Sequence, residues 1–101
     1  MELESEKDIE RYLVDQVEAL GGLCYKITSP GRKNVPDRVC LFPRGVTIWI
    51  EVKSEKEKPT DGQIREHERL RDRRHTILVI DTKDKVNILI KEVGYELFER
   101  I

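Results

Sequence analysis

The sequence has 101 residues, of which 39% are charged and 38% hydrophobic, with a net charge of −1. That length has room for one small core in a single domain, residues 1–101, and leaves no space for a separate sequence-recognition domain. No run of eighteen apolar residues exists and the first residues, Met1-Glu2-Leu3-Glu4, are acidic, which argues against a membrane span and a secretory signal.

Ser5 is an N-cap with Asp8 at N3, a variant of the capping box. Ile9, Tyr12, Leu13, Val17 and Leu20 then recur at helical spacing, and Gly21-Gly22 supplies the stop. Leu23 to Ile27 reads as a strand, followed by a Ser29-Pro30-Gly31 turn and a basic loop. Asp37 to Phe42 and Val46 to Lys53 are two strands joined at Pro43-Arg44-Gly45, a hairpin. Ser54 to Lys58 is a charged loop. Thr60 caps a second helix running to about Arg74, and Thr76 to Asp81 is a buried-type strand. Val86, Leu89, Ile90 and Val93 fit a last helix, with Gly94 as its expected stop, although Val86, Ile88 and Ile90 also fit a strand. Tyr95 to Ile101 carries no assignable pattern. The order α-β-β-β-α-β-α makes an α/β fold with helices covering a mixed central sheet. Cys24 and Cys40 fall inside strands without metal-ligand spacing, and with no secretory signal they read as reduced core thiols of a cytoplasmic protein.

The chemistry concentrates at Pro36-Asp37 and, fourteen positions on, Glu51-Val52-Lys53. Alternation along a strand puts Glu51 and Lys53 on one face, about 6.6 Å apart. If Asp37 opens the paired strand, two carboxylates and an ammonium converge at one sheet end. Breaking a phosphodiester needs an activated water, neutralised phosphate charge and a stabilised leaving oxygen. A carboxylate-held Mg²⁺ supplies these, with Lys53 orienting or deprotonating the water. Asp37 and Glu51 would be the ligands, with the Val52 backbone carbonyl as a further oxygen, and magnesium tolerates so sparse a set because it keeps several waters. A Glu-x-Lys pair alone means little in so charged a chain. Asp81-Thr82-Lys83 also follows an apolar strand, but no Pro-Asp hairpin partner precedes it.

Other residues border this cluster. Glu6 falls along the apolar stripe of the first helix and Glu10 at its edge; either carboxylate can serve the site, and for Glu6 a helix-dipole role is an equal reading. Thr60-Asp61-Gly62-Gln63 is a capping box with Gln63 at N3, yet Gln63 shares a helix face with His67, Leu70 and Arg74 and can look into the site. His67 reads as a satisfied core or surface histidine, and Trp49 as a core residue despite sharing the face of Glu51 and Lys53. Five basic residues, Lys26, Arg32, Lys33, Arg38 and Arg44, accompany the single acid Asp37 between positions 26 and 44. Such a basic rim suits a phosphate backbone, though a solvated charged surface is its commoner meaning.

Taken together, Glu6, Lys26 at a strand end, Val35-Pro36-Asp37-Arg38, Trp49-Ile50-Glu51-Val52-Lys53 and Gln63 resemble the VRR-NUC branch, the virus-type replication-repair nucleases of the PD-(D/E)xK superfamily. The resemblance spans about Glu6 to Asp81, and the short chain is similar to stand-alone phage and bacterial members. It implies a restriction-endonuclease-like core, with Asp37 and Glu51 as metal ligands, Lys53 as the catalytic lysine, Glu6 as an additional site acid and Gln63 in support. It also implies a Mg²⁺- or Mn²⁺-dependent endodeoxyribonuclease acting on branched DNA, Holliday junctions included, in the cytoplasm of a bacterial or phage-infected cell. One departure is Asn34, where members often carry Gly before Val-Pro-Asp; Asn also tolerates a left-handed backbone. Paired incision from one compact site calls for a homodimer, to which Ile64 and Leu70 and the apolar residues Tyr95, Leu97, Phe98 and Ile101 are expected to contribute. The competing class is a non-catalytic nucleic-acid-binding or assembly module that retains the fold.

Overall fold

The computed structural model describes residues 3–98. Its elements are α1 (Glu6–Ala19), β1 (Leu23–Lys26), β2 (Arg38–Leu41), β3 (Thr47–Val52), α2 (Asp61–Asp72), β4 (Ile77–Ile80) and α3 (Lys83–Phe98), with a short 3-10 turn at Pro43–Gly45. The chain adopts the expected α-β-β-β-α-β-α order. The sheet order is β1-β2-β3-β4; the first three strands are antiparallel, and β4 runs parallel to β3. Antiparallel neighbours need only a tight return, and the Phe42 N–H closes one on the Val46 carbonyl at 2.8 Å. The parallel step needs a crossover, which α2 provides.

Strand alternation divides the sheet into two faces. Ile48, Ile50 and Val52 of β3, with Cys40 and Ile80, pack against Ile9, Leu13 and Val17 of α1 and Val86, Leu89, Val93 and Leu97 of α3. Trp49, Glu51 and Lys53 point to the opposite face, which α2 covers only in part. Trp49 is half-buried there and lies outside the hydrophobic cluster, so the expected core role is corrected. It sits on an incompletely covered sheet face.

Helix ends explain several local choices. Ser5 Oγ accepts from the Asp8 N–H at 3.1 Å, and α1 ends in a Schellman motif in which the Gly22 N–H bonds the Val17 carbonyl at 2.9 Å. Gly21 holds the required left-handed turn at φ +85°. The same motif closes α2, where the His75 N–H bonds the Leu70 carbonyl at 3.1 Å, but here Arg74 takes the left-handed position at φ 66°. Thr82 Oγ1 accepts from the Lys85 N–H at 3.2 Å, and Lys85 Nζ pairs with Asp81 at 2.8 Å. The Asp81-Thr82-Lys83 look-alike is thus the entry to α3.

Two expectations near the end of the chain are overturned. Gly94 does not stop the last helix; α3 runs through it to Phe98. The reason is Leu97, buried at 3% exposure, which adds a further turn to the stripe of Val86, Leu89 and Val93. For the same reason Leu97 is a core residue and cannot serve an interface. Tyr95 is exposed, whereas Ile101 and the Phe98 side chain lie outside the described residues. Among the described residues no helix is long and apolar enough to cross a membrane.

Candidate active site

The β2–β3 register places Arg38 opposite Ile50, so one step further Asp37 lies opposite Glu51. The Phe42–Val46 bond fixes the alternation, and counting from it makes Asp37 and Glu51 a non-hydrogen-bonded pair, the kind with Cα atoms only about 4.5 Å apart. The two carboxylates are therefore crowded together on the α2 face by the ladder itself. The next opposed pair is Pro36 and Val52. Pro36 is fully buried and has no N–H, so the ladder gives the Val52 carbonyl no donor. The Val52 N–H, turned to the same side, donates instead to Asp37 Oδ2 at 3.0 Å. One proline thus leaves a backbone oxygen beside two carboxylates.

Around Glu51, itself 1% exposed, the other groups gather. Lys53 Nζ stands 4.0 Å from Glu51 Oε2, and Gln63 Nε2 donates to the same oxygen at 3.4 Å. His67 Nε2 approaches Glu51 Oε1 at 3.4 Å, but neither atom has a hydrogen-bond partner. Gln63 makes both contacts that its position suggests. Its Oε1 accepts from the Thr60 N–H at 2.9 Å to complete the capping box, while its amide end reaches the site. His67 is the residue that sequence reasoning undervalued. It is a buried histidine, but one placed against Glu51, and its i, i+4 spacing from Gln63 was the available signal.

The electrostatics follow from this crowding. Glu51 is pushed up to about 8, first by burial, then by its hydrogen bond to Asp37 and by the Asp37 charge, with Lys53 opposing. At neutral pH the carboxyl pair holds a proton that a cation would have to displace. Burial lowers His67, and the Arg71 charge lowers it further, which favours the neutral imidazole. Glu6 is raised by partial burial, then by Asp37 and Glu57, which locates its carboxyl at the rim of the site. The rim is fixed by Glu4, whose N–H bonds Glu55 Oε2 at 3.0 Å and whose carboxylate caps α3 at the Lys83 N–H at 2.6 Å. Glu10 lies elsewhere. It is paired with Arg38, with Arg38 Nε at 2.9 Å, on the sheet face away from Lys53.

The remaining basic candidates divide by face. Lys26 is cross-strand to Arg38 and shares its face, exposed at the sheet edge. Arg32 and Lys33 lie on the loop that enters Asp37, where Arg32 Nη2 pairs with Glu66 of α2 at 2.8 Å and stays half exposed. Asn34 on that loop takes φ 70°, so the left-handed turn survives without glycine. Its amide packs so closely on α2 that a β-carbon at Gly62 would fall 2.7 Å from Asn34 Nδ2. On the site's own face Tyr25 is 51% exposed, in the cross-strand row Tyr25–Val39–Trp49 beside the carboxylates.

The donor set suits a hard cation: two adjacent carboxylates, a backbone carbonyl to which β2 offers no donor, and a buried orphan oxygen, Glu51 Oε1. Among the described residues no group of three or more His, Cys, Asp or Glu side chains is placed to hold a metal. An ion here would depend on Asp37, Glu51, the Val52 carbonyl and water, the sparse set that magnesium accepts.

This fold and site define a nuclease domain of the restriction-endonuclease-like class. No protein-family model matches the chain. A curated relative, "Putative nuclease p44" of Acyrthosiphon pisum secondary endosymbiont phage 1, is 46% identical over 89 residues, covering 88% of this chain and 96% of its own. A solved structure described as a VRR_NUC domain superposes with a TM-score of 0.81 at 38% identity, covering 87% of this chain and 96% of its own. The chain belongs to the VRR-NUC family.

Proposed function

We propose that the protein is a divalent-metal-dependent endonuclease that hydrolyses DNA phosphodiester bonds, with branched DNA as its substrate. The observation that carries this reading is the directly opposed pair Asp37–Glu51 with Lys53 Nζ 4.0 Å from Glu51. Asp37, Glu51 and the Val52 carbonyl would hold Mg²⁺ or Mn²⁺, which when bound neutralises phosphate charge, acidifies the attacking water and stabilises the leaving oxygen. Lys53, with a largely buried side chain at 12% exposure, would orient that water and, once it has given up its own proton to solvent, accept the water's proton at Nζ as the free amine. Gln63 holds Glu51 from the α2 side. Of the two first-helix acids, Glu6 is the one at the rim and fits the additional acidic role. As P–O cleavage proceeds, water supplies the oxygen to phosphorus and the departing sugar oxygen recovers a proton.

DNA would approach over the α2 face, with Arg32 and Lys33 on the entry loop meeting phosphates and Tyr25 offering a ring for base stacking. Lys26 and Arg38 leave the opposite face of the sheet, Arg38 engaged by Glu10, and stand outside this path. Two coordinated cuts in a branched substrate require two copies. A groove of about 740 Å³ between α3 and the sheet edge, lined by Val46, Ile48, Leu78, Ile88 and Tyr95, supports a homodimer.

The test is cleavage of branched and linear DNA with Mg²⁺ or Mn²⁺, comparing the unaltered chain with Lys53→Ala and Asp37→Ala. Loss of cutting by roughly a hundredfold or more in both folded variants, and in chelator, is expected. Cutting indifferent to the substitutions and to chelator would defeat the assignment and leave a non-catalytic DNA-binding module.

A further inference from the structure

Cys24 on β1 and Cys40 on β2 are Cα partners in the antiparallel ladder, so both side chains leave the same face of the sheet, the one packed by α1. The Ile27 N–H bonds the Asp37 carbonyl at 2.7 Å, which makes positions 27 and 37 a hydrogen-bonded pair. Alternation back along β1 then makes Cys24 and Cys40 a non-hydrogen-bonded pair, with Cα atoms about 4.5 Å apart, inside the range that a disulfide spans. The Cys40 thiol donates to Cys24 Sγ at 3.8 Å, and Arg38 Nη1 approaches the same sulfur at 3.9 Å. Cys40 is fully buried while Cys24 is partly open to solvent. One thiol is reachable and beside a cation; the other waits directly behind it.

We propose that Cys24 and Cys40 are a peroxide-oxidisable dithiol, a modification site in which Cys24 attacks and Cys40 resolves the product into a disulfide joining β1 to β2. In the first step the Cys24 thiolate attacks one oxygen of hydrogen peroxide and the O–O bond breaks. Sulfur is oxidised to the sulfenic acid, and the departing hydroxide takes a proton to become water. In the second step Cys40 Sγ attacks Cys24 Sγ, the S–O bond breaks, and the hydroxide leaves with the Cys40 proton as a second water. Two thiols and one peroxide give one disulfide and two waters.

The surroundings assign the order. Cys24 is pushed down to about 7, chiefly by the hydrogen bond from Cys40 and further by the Arg38 guanidinium, which provides a ready thiolate at neutral pH. Glu10 opposes this, but its carboxylate is itself held by Arg38. Cys40 is pushed far up, first by its hydrogen bond to Cys24, then by burial and by the Cys24 charge. Once Cys24 is a neutral sulfenic acid, the charge that kept the Cys40 proton in place is gone while Arg38 remains. The pair lies on the sheet face opposite Glu51 and Lys53, so this inference stands whether or not the chain cuts DNA.

The experiment exposes the full chain to stoichiometric hydrogen peroxide under denaturant-free conditions and reads intact mass, free thiols and melting temperature. Expected are loss of two hydrogens in mass, loss of both titratable thiols in a monomeric product, and full reversal by dithiothreitol. Closing a loop over the fifteen residues between the cysteines should raise the melting temperature by something on the order of 10 °C. Cys40→Ser should stop at a Cys24 sulfenic acid that dimedone traps, and Cys24→Ser should react at least tenfold more slowly than the unaltered chain. Persistence of both thiols, a disulfide only between two chains, or a lowered melting temperature in the oxidised form would each overturn the proposal. Circular dichroism on the two serine variants separates a folding defect from lost reactivity, because the unaltered chain carries the primary result.

Discussion

Glu51 carries a heavy electrostatic burden, a carboxyl buried beside another carboxyl. Its folded value of about 8 stands well above its ordinary value of 4.5, so the native state binds a proton that the unfolded state has released. The sign follows directly. Stability is greatest below about pH 4.5 as far as this group is concerned, and is lost as pH rises through about 8. Glu6 shifts in the same direction and adds to the slope. In chelator, the melting temperature of the unaltered chain should therefore fall over that window, and Glu51→Gln should melt higher at pH 8 with a much flatter profile. Thermal scans at several pH values check this; an unchanged slope in Glu51→Gln would remove Glu51 as its source. Metal titrations should in turn release close to one proton per site at neutral pH, and release should vanish near pH 9. The Asp37, Glu51 and Lys53 cluster is legible in the sequence because alternation and a short hairpin are local. His67 is only hinted at, by its i, i+4 spacing from Gln63, because its approach to Glu51 depends on where the β3–β4 crossover seats α2. That β2 offers the Val52 carbonyl no donor follows from the register, which sets Pro36 opposite it.

At the scale of elements, helix signals carry most of the fold, and their failures are informative. Ser5, Thr60 and Gly21-Gly22 mark boundaries because capping is a contact between near neighbours. Gly94 misleads because a glycine stops a helix only where the chain must turn, and Leu97 buried one turn later keeps α3 going. That glycine carries an entropic cost with no visible return, since a β-carbon there meets nothing within 4 Å. Gly94→Ala should stabilise the chain by about 0.5–1 kcal/mol, seen as a higher denaturant midpoint at unchanged slope. Arg74 is the mirror case, a long side chain in a left-handed position where glycine would sit without strain. Nothing in composition announces it, because the αL site is created by where α2 ends.

On the scale of the whole molecule, the sheet has one packed face, one face that α2 covers only in part, and an apolar groove at the β4 side. Ile88 and Tyr95, 57% and 53% exposed, line that groove from the α3 side. If two copies meet there, Ile88→Asp should yield a monomer by light scattering while retaining the fold, and should reduce paired incision of a branched substrate more than single nicking. A dimer of unchanged mass would move the interface elsewhere. Ile64, 42% exposed on α2, is the next surface to test. Composition cannot reveal such a groove, because it is made by α3 lying over β3 and β4 rather than by any one segment.

Gln63 joins two of these scales in a single side chain. Its carbonyl end closes the first turn of α2 on the Thr60 N–H and its amide end touches Glu51, so the amide is tethered at both ends. Any breath of the helix start is then also a loosening of Glu51. Thr60 lies at the surface, and Thr60→Ala by ordinary capping energetics costs about 1 kcal/mol of stability. Its effect on turnover should be larger than that loss explains, with kcat falling severalfold at temperatures where the variant is fully folded, and with Thr60→Ser restoring it. Fraying of an exposed helix end would then act as a governor on the rate of a buried site.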